Sequence, residues 1–205
     1  MDELWDYDKA HALVKRYNIR SVESVYVKSS DDAVRFAAGG PIALKAISAK
    51  ALHKSKSGLI MLNLSTKDEI NAAYRELDKR AAEFKPYKVL AQRMISGGIE
   101  IIIGGNTDQQ FGKMILIGLG GIYVETFKDF ALRVCPIKEF DAQSMLDQMK
   151  SRNIIAPDKK SEHMLKSLLM SAARMFAENE ITEFDLNPLI LHDGTYDAVD
   201  LRVMG

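Results

Sequence analysis

The chain has 205 residues, 47% of them apolar and 27% charged, with 28 Lys+Arg set against 28 Asp+Glu. Zero net charge argues against a domain held on nucleic acid by bulk charge, and the composition is that of a folded globular chain rather than a disordered or fibrous one. No apolar run approaches the roughly 20 residues that span a bilayer, the acidic start Met1-Asp2-Glu3 lacks a signal-peptide core, and the single Cys135 supports neither an internal disulfide nor a metal cluster. The expectation is a soluble cytoplasmic protein, without nucleic-acid or membrane partners, built as one large domain or two small lobes.

In chain order, Leu4, Trp5, Leu13, Val14 and Tyr17 form a helical stripe, with Asn18 as its stop. Residues 22–27 read as a strand, residues 30–38 as a short helix ending on Gly39-Gly40, and residues 41–47 and 59–64 as the next two strands. Ser65 is placed to cap a long charged helix that runs to about Phe84, with Pro86 just beyond it. From Tyr87 the texture changes to short β-branched strands at 89–94, 99–103, 114–117 and 122–126, punctuated by glycines. Helices at about 139–150 and 161–179 follow, separated by a polar stretch around Pro157, and residues 181–203 read as a hairpin turning at Asp193-Gly194. The alternation predicts an α+β or α/β fold, and the change of texture places a lobe boundary at 88, giving lobes 1–88 and 89–205.

The hairpin carries the most informative geometry. A two-residue turn at Asp193-Gly194 sets Thr195 against His192 and, counting outward, Asp200 against Asn187, with Cβ atoms about 4.5–5.5 Å apart. Strand alternation puts Glu183 and Asp185 on the same face and turns Phe184 and Leu186 away. An amide oxygen and up to three carboxylates on one surface suit Mg²⁺, which takes one or two carboxylates and completes its shell with water and phosphate. The other reading of the same geometry is a solvated strand face with Asp185 paired to Arg202 across the hairpin. A second candidate is the stretch from Lys45 to Gly58, which holds Lys45, Lys50, Lys54 and Lys56 around His53. Such lysines either hold phosphate, with His53 as base or nucleophile, or simply solvate a loop. Lys45 differs from the rest because it follows Ile42-Ala43-Leu44 in an apolar strand, where an unpaired lysine is costly. Gly118-Leu119-Gly120-Gly121 matches neither the dinucleotide fingerprint nor a phosphate loop and reads as a close backbone approach. Cys135 reads as a small buried hydrophobe, and His11, His163 and His192 as surface or packing residues.

Four blocks occur in order: PIALKAIS…LHKS, QRMISGGIEIIIGGNTDQQFG, GLGGIYVETFKDFALRVCPI and EFDLNPLIL…AVDLRV. Together they resemble the ATP-grasp domain of ADP-forming acyl-CoA synthetases, most closely the separate beta subunits of ADP-forming acetyl-CoA synthetases, over residues 8 to 203. The resemblance implies a two-lobed α+β ATP-grasp fold that holds ATP or ADP with Mg²⁺ between its lobes. By matching position, Lys45 would contact the phosphates, the Gln92-Arg93-Met94 strand would form the adenine edge, and Glu100 would lie near the ribose. Asn187 and Asp200 would hold Mg²⁺, and His53 would carry the phosphoryl group. The resemblance also implies a CoA-binding alpha subunit as partner. Two departures from the family pattern stand out. Lys56 and Ser57 stand where an acid and a glycine are usual, and Arg152-Asn153-Ile154-Ile155 replaces a glycine–arginine–glycine stretch. A regulatory module that binds nucleotide without passing on phosphate, and a carboxylate–amine ligase, are the other readings of such a fold.

Overall fold

The computed structural model describes residues 3–48, 50, 58–121 and 129–205. Their contacts divide into two units, residues 22–96 on one hand and residues 1–21 with 97–205 on the other.

In the first unit, β1 (Ser24–Val27), β2 (Ile42–Ile47), β3 (Ile60–Leu64) and β4 (Lys88–Arg93) form an antiparallel sheet in the order β1-β4-β2-β3. Helices α2 (Ser30–Ala37) and α3 (Lys67–Ala81) cover one face of it. Alternation along the strands explains which residues meet the helices: Ile42, Leu44 and Ala46 of β2 and Val89 and Ala91 of β4 join the core with Ile70 and Leu77 of α3. Ser29 caps α2 by accepting from the Asp32 N–H. The cap of α3 is Thr66, one residue beyond the expected Ser65, because Thr66 and Glu69 complete a reciprocal capping box.

The second unit is built on a six-stranded sheet. Strands β5 (Ile99–Asp108), β6 (Gly112–Leu119), β7 (Phe130–Val134), β8 (Glu183–His192) and β10 (Leu201–Met204) run in the order β10-β8-β5-β6-β7, and β9 (Thr195–Ala198) pairs with the other end of β8. Helices α1 (Tyr7–Arg16), α4 (Glu139–Gln148), α5 (Arg152–Ile155) and α6 (Lys159–Glu178) contribute to a single core with Ile101, Ile103, Ile115, Ile117, Phe184 and Leu186. Phe184 and Phe176 meet edge to face with ring centroids 5.3 Å apart. Gly105 is required beneath them, since a Cβ there would lie 2.5 Å from the Phe184 ring. Asn18 ends α1 with a positive φ of 56°, a conformation asparagine tolerates.

Several expectations shift. Residues 88–93 pair with β1 and β2, so the boundary expected at 88 falls instead at 96/97, and residues 1–21 belong with the C-terminal unit. Trp5 packs on the core, but α1 begins only at Tyr7, after the Asp6 cap, and Leu4 forms a bridge with Met204 instead. Strand β7 and the short α5 had no counterpart in the periodicity reading, and the strand expected at 122–126 lies outside the described residues. The α+β architecture itself is as expected, with antiparallel sheets and helices on one face of each. No helix among the described residues is long and apolar enough to cross a membrane.

Candidate functional site

In the first unit, the face of the sheet turned away from its helices carries Lys45 and Gln92. Lys45 pairs with Leu90 across β4 and with Ile60 across β3, and Ala43 pairs with Gln92. The two polar side chains therefore stand on one face in adjacent strands. Lys45 is only 6% exposed and Gln92 2%, although both are polar. The Gln92 amide donates to the Ser24 hydroxyl on β1 at 3.2 Å. A lysine and a glutamine buried on one face of a sheet are unusual. Arg93 points elsewhere. Its guanidinium bonds Glu23 and the Gly40 carbonyl and stacks over the Phe36 ring at 4.2 Å. The guanidinium lies against Gly39, where a Cβ would force it to shift. The Met94 N–H donates to the Pro41 carbonyl at 2.9 Å. His53, with Lys54 and Lys56, lies outside the described residues.

The second unit carries the hairpin. Asp193 and Gly194 both have positive φ, 47° and 69°, as a tight turn of the primed type needs. His192 faces Thr195, Leu189 faces Ala198 and, past a short interruption, Leu186 faces Leu201 and Asp185 faces Arg202. The same count sets Asn187 against Asp200, and the Asn187 N–H donates to the Asp200 carbonyl at 3.2 Å. Phe184 and Leu186 are buried, so the alternation holds and Glu183, Asp185, Asn187 and Asp200 share the opposite face. Burial holds the Asp185 carboxyl above the ordinary carboxylate range. The Asn187 amide and the Arg202 charge act against that rise, while Asp200 and Glu183 reinforce it. Arg202 stands across the hairpin from Asp185, as the simpler reading had it, but its guanidinium forms its ion pair with Glu183 at 3.4 Å.

Strand β5 lies beside this group. Gly104 pairs with Asp185, whose Oδ1 would lie 3.7 Å from a Cβ built there. Glu100 stands on the same face of β5 by alternation and is exposed. The Gly120 N–H donates to the Glu100 carbonyl at 2.7 Å, and a Cβ on Gly120 would lie 2.9 Å from the Glu100 backbone. The glycine cluster at 118–121 is thus the close approach its composition suggested, and what it approaches is Glu100.

The donors on β8 and β10 are hard oxygens, the type Mg²⁺ selects. Among the described residues no group of three His, Cys, Asp or Glu side chains is disposed to hold an ion. An ion held at Asn187 and Asp200 would have to draw the rest of its shell from water and phosphate, the usual habit of Mg²⁺. Cys135 is half-buried, with its thiol pushed up to about 11 by burial, and has no place in this chemistry.

Residues 2–204 match the model of a family described as an ATP-grasp domain. The chain is 33% identical to the beta subunit of an ADP-forming acetate–CoA ligase (II) from Pyrococcus furiosus, over 96% of this chain and 89% of that one. Among solved structures it is similar to Ca. Korarchaeum cryptofilum ACD1 in complex with coenzyme A, with a TM-score of 0.87 and 33% identity over 98% of this chain and 93% of that chain. It is also similar to the dinucleotide-forming acetyl-coenzyme A synthetase 1 of the same organism, solved with coenzyme A and Mg-AMPPCP and with its phosphohistidine segment pointing towards the nucleotide-binding site. There the TM-score is 0.81 and the identity 32%, over 98% of this chain and 92% of that chain.

Proposed function

The chain belongs to the ATP-grasp domain family, and on that premise we propose that it is the nucleotide-binding beta subunit of an ADP-forming acyl-CoA synthetase. The reaction is acyl-CoA + ADP + phosphate giving acid + CoA + ATP, and it is reversible. The observation that carries the reading is the hairpin register, which aligns Asn187 with Asp200 beside the half-buried Asp185. The beta-subunit relative and the solved acetyl-CoA synthetases support it from outside the chain.

In this reading Lys45 holds the phosphates as a fixed ammonium charge within a strand, and Gln92, Arg93 and Met94 form the edge against which the base lies. Glu100 serves the ribose. Asn187 and Asp200 hold Mg²⁺, which when bound neutralises phosphate charge. His53 receives the phosphoryl group: an imidazole nitrogen bonds to the γ-phosphorus as the bond to the bridging oxygen breaks, and ADP leaves. Positioning and charge neutralisation supply most of such catalysis. The chain is expected to work with a CoA-binding alpha subunit in the cytoplasm, the partner supplying the acyl-CoA site.

Incubation of the chain and its partner with γ-labelled ATP and Mg²⁺ should leave acid-labile label on the chain. His53→Ala should abolish the label while sparing nucleotide binding. Asp200→Asn should weaken Mg²⁺-dependent ADP binding at least tenfold in calorimetry without lowering the melting temperature. No label on the unaltered chain, with nucleotide still bound, would move the regulatory reading ahead. Unchanged Mg·ADP affinity in Asp200→Asn would remove the metal assignment.

A further inference from the structure

A cavity of about 860 Å³ opens in residues 22–96, and none of the candidate nucleotide, metal or phosphoryl-transfer residues named above lines it. Its walls include three tyrosines, Tyr26, Tyr74 and Tyr87, and three lysines, Lys28, Lys85 and Lys88, with no carboxylate among the lining residues. In a chain of zero net charge that is a local concentration of cations. The cavity sits at one end of the sheet. Lys88 pairs with Ile47, the last residue of β2, whereas Gln92 and Arg93 lie at the far end of β4. Tyr26 and Lys45 both pair with Leu90, on opposite sides of β4, so the buried Leu90 separates the cavity wall from Lys45.

The aromatic walls are held in place. The Lys88 ammonium lies 4.7 Å over the Tyr26 ring. Tyr74, on α3, and Tyr87 pack on the core, and the Tyr87 hydroxyl donates to the Asp78 carboxylate. That hydrogen bond, with burial, pushes the Tyr87 hydroxyl up to about 12, so the ring stays neutral. Fixed phenol rings offer a surface on which a base can stack, and ammonium groups on flexible stems suit phosphate as point charges. The volume is within the range of roughly 300–1,000 Å³ typical of small-molecule sites.

We propose that this cavity is a second binding site, separate from the one at Lys45 and Gln92, for a nucleoside that carries two or more phosphate groups. The rings of Tyr26, Tyr74 and Tyr87 receive the base, and Lys28, Lys85 and Lys88 receive the phosphates.

ADP is the probe, with the full chain studied by equilibrium dialysis and calorimetry in Mg²⁺. Two equivalents should bind to the unaltered chain. The double variant Lys85→Ala/Lys88→Ala, which changes two exposed side chains, should weaken one of them at least tenfold and leave the Mg²⁺-dependent one alone. Asp200→Asn should do the reverse. Adenosine and tripolyphosphate should each compete for the lysine-dependent equivalent at least tenfold less well than ADP. If tripolyphosphate matches ADP, the rings recognise nothing and the inference fails. Two equivalents that persist in the lysine variant overturn it as well. If one equivalent binds in total, its loss in the lysine variant alone upholds this inference and removes the metal assignment, and its loss in Asp200→Asn alone does the opposite. Loss in both variants merges the two sites and overturns the inference.

Discussion

Strands β8 to β10 and strands β1, β2 and β4 both place polar side chains on the face of an antiparallel sheet that is turned away from its helices, but they are assembled differently. In the hairpin every pair is local: counting outward from Asp193 and Gly194, both at positive φ, sets Asn187 against Asp200. In the first unit the face that carries Lys45 and Gln92 joins β1, β2 and β4, which are far apart in sequence, and Gln92 finds its hydrogen-bond partner Ser24 across 68 residues. Local closure can be counted from residue numbers. Distant closure depends on which buried faces the helices cover.

The contrast yields three stability predictions. The largest concerns the buried row that anchors the hairpin. Phe184 is fully buried against Phe176, and Phe184→Ala should cost about 3–5 kcal/mol in denaturant unfolding. A loss below 1 kcal/mol would show that the turn, rather than the core, holds β8 in place.

A smaller effect is expected at a distant tie. Asp129 is buried and accepts from the Lys150 and Ser151 N–H groups at 2.8 and 2.7 Å. Burial alone would push its carboxyl up, but the hydrogen bonds from Ser151 and Lys150 win and hold it below the ordinary range. Because the folded value is depressed, its contribution is present above the unfolded value near 3.9 and is lost as pH falls through the folded one. Asp129→Asn should cost about 1–3 kcal/mol at pH 7, and the gap to the unaltered chain should close on acidification below about pH 4. A gap that stays constant with pH would assign the loss to packing instead.

The smallest effect belongs to the turn. Gly194→Val forces a β-branched residue to a φ of 69° and should cost about 1–2 kcal/mol. If the core row fixes the register, Mg·ADP affinity should survive that loss in calorimetry. If affinity falls with stability, the turn is what sets Asn187 against Asp200.

Much of the candidate site was legible before any coordinates. The period-two pattern of residues 183–187 and the Asp193-Gly194 turn were enough to predict which side chains of the hairpin share a face, and the buried Phe184 and Leu186 agree. The apolar neighbours of Lys45 correctly marked it as a strand lysine, and its burial to 6% exposure agrees. Other features were not legible. Ser65 and Thr66 are equivalent as caps until the Glu69 side chain selects one of them. Arg93 sits next to Gln92 in sequence, but the alternation of β4 sends its guanidinium to Glu23, Gly40 and Phe36. Strand β7 shows no strong signal because its outward residues Phe130 and Val134 are as apolar as its inward Ala131.

The sequence by itself determined the strand alternation and the hairpin register, which depend on residues near one another along the chain, and the ordered blocks that mark the ATP-grasp family, which are read from residue identity alone. Only the tertiary structure decided that residues 1–21 join the C-terminal unit, that Arg202 reaches Glu183 rather than Asp185, and that three tyrosines and three lysines surround one cavity. Those outcomes depend on which strands become neighbours. Burial of apolar faces distant in sequence selects the neighbours, and no local pattern encodes that choice.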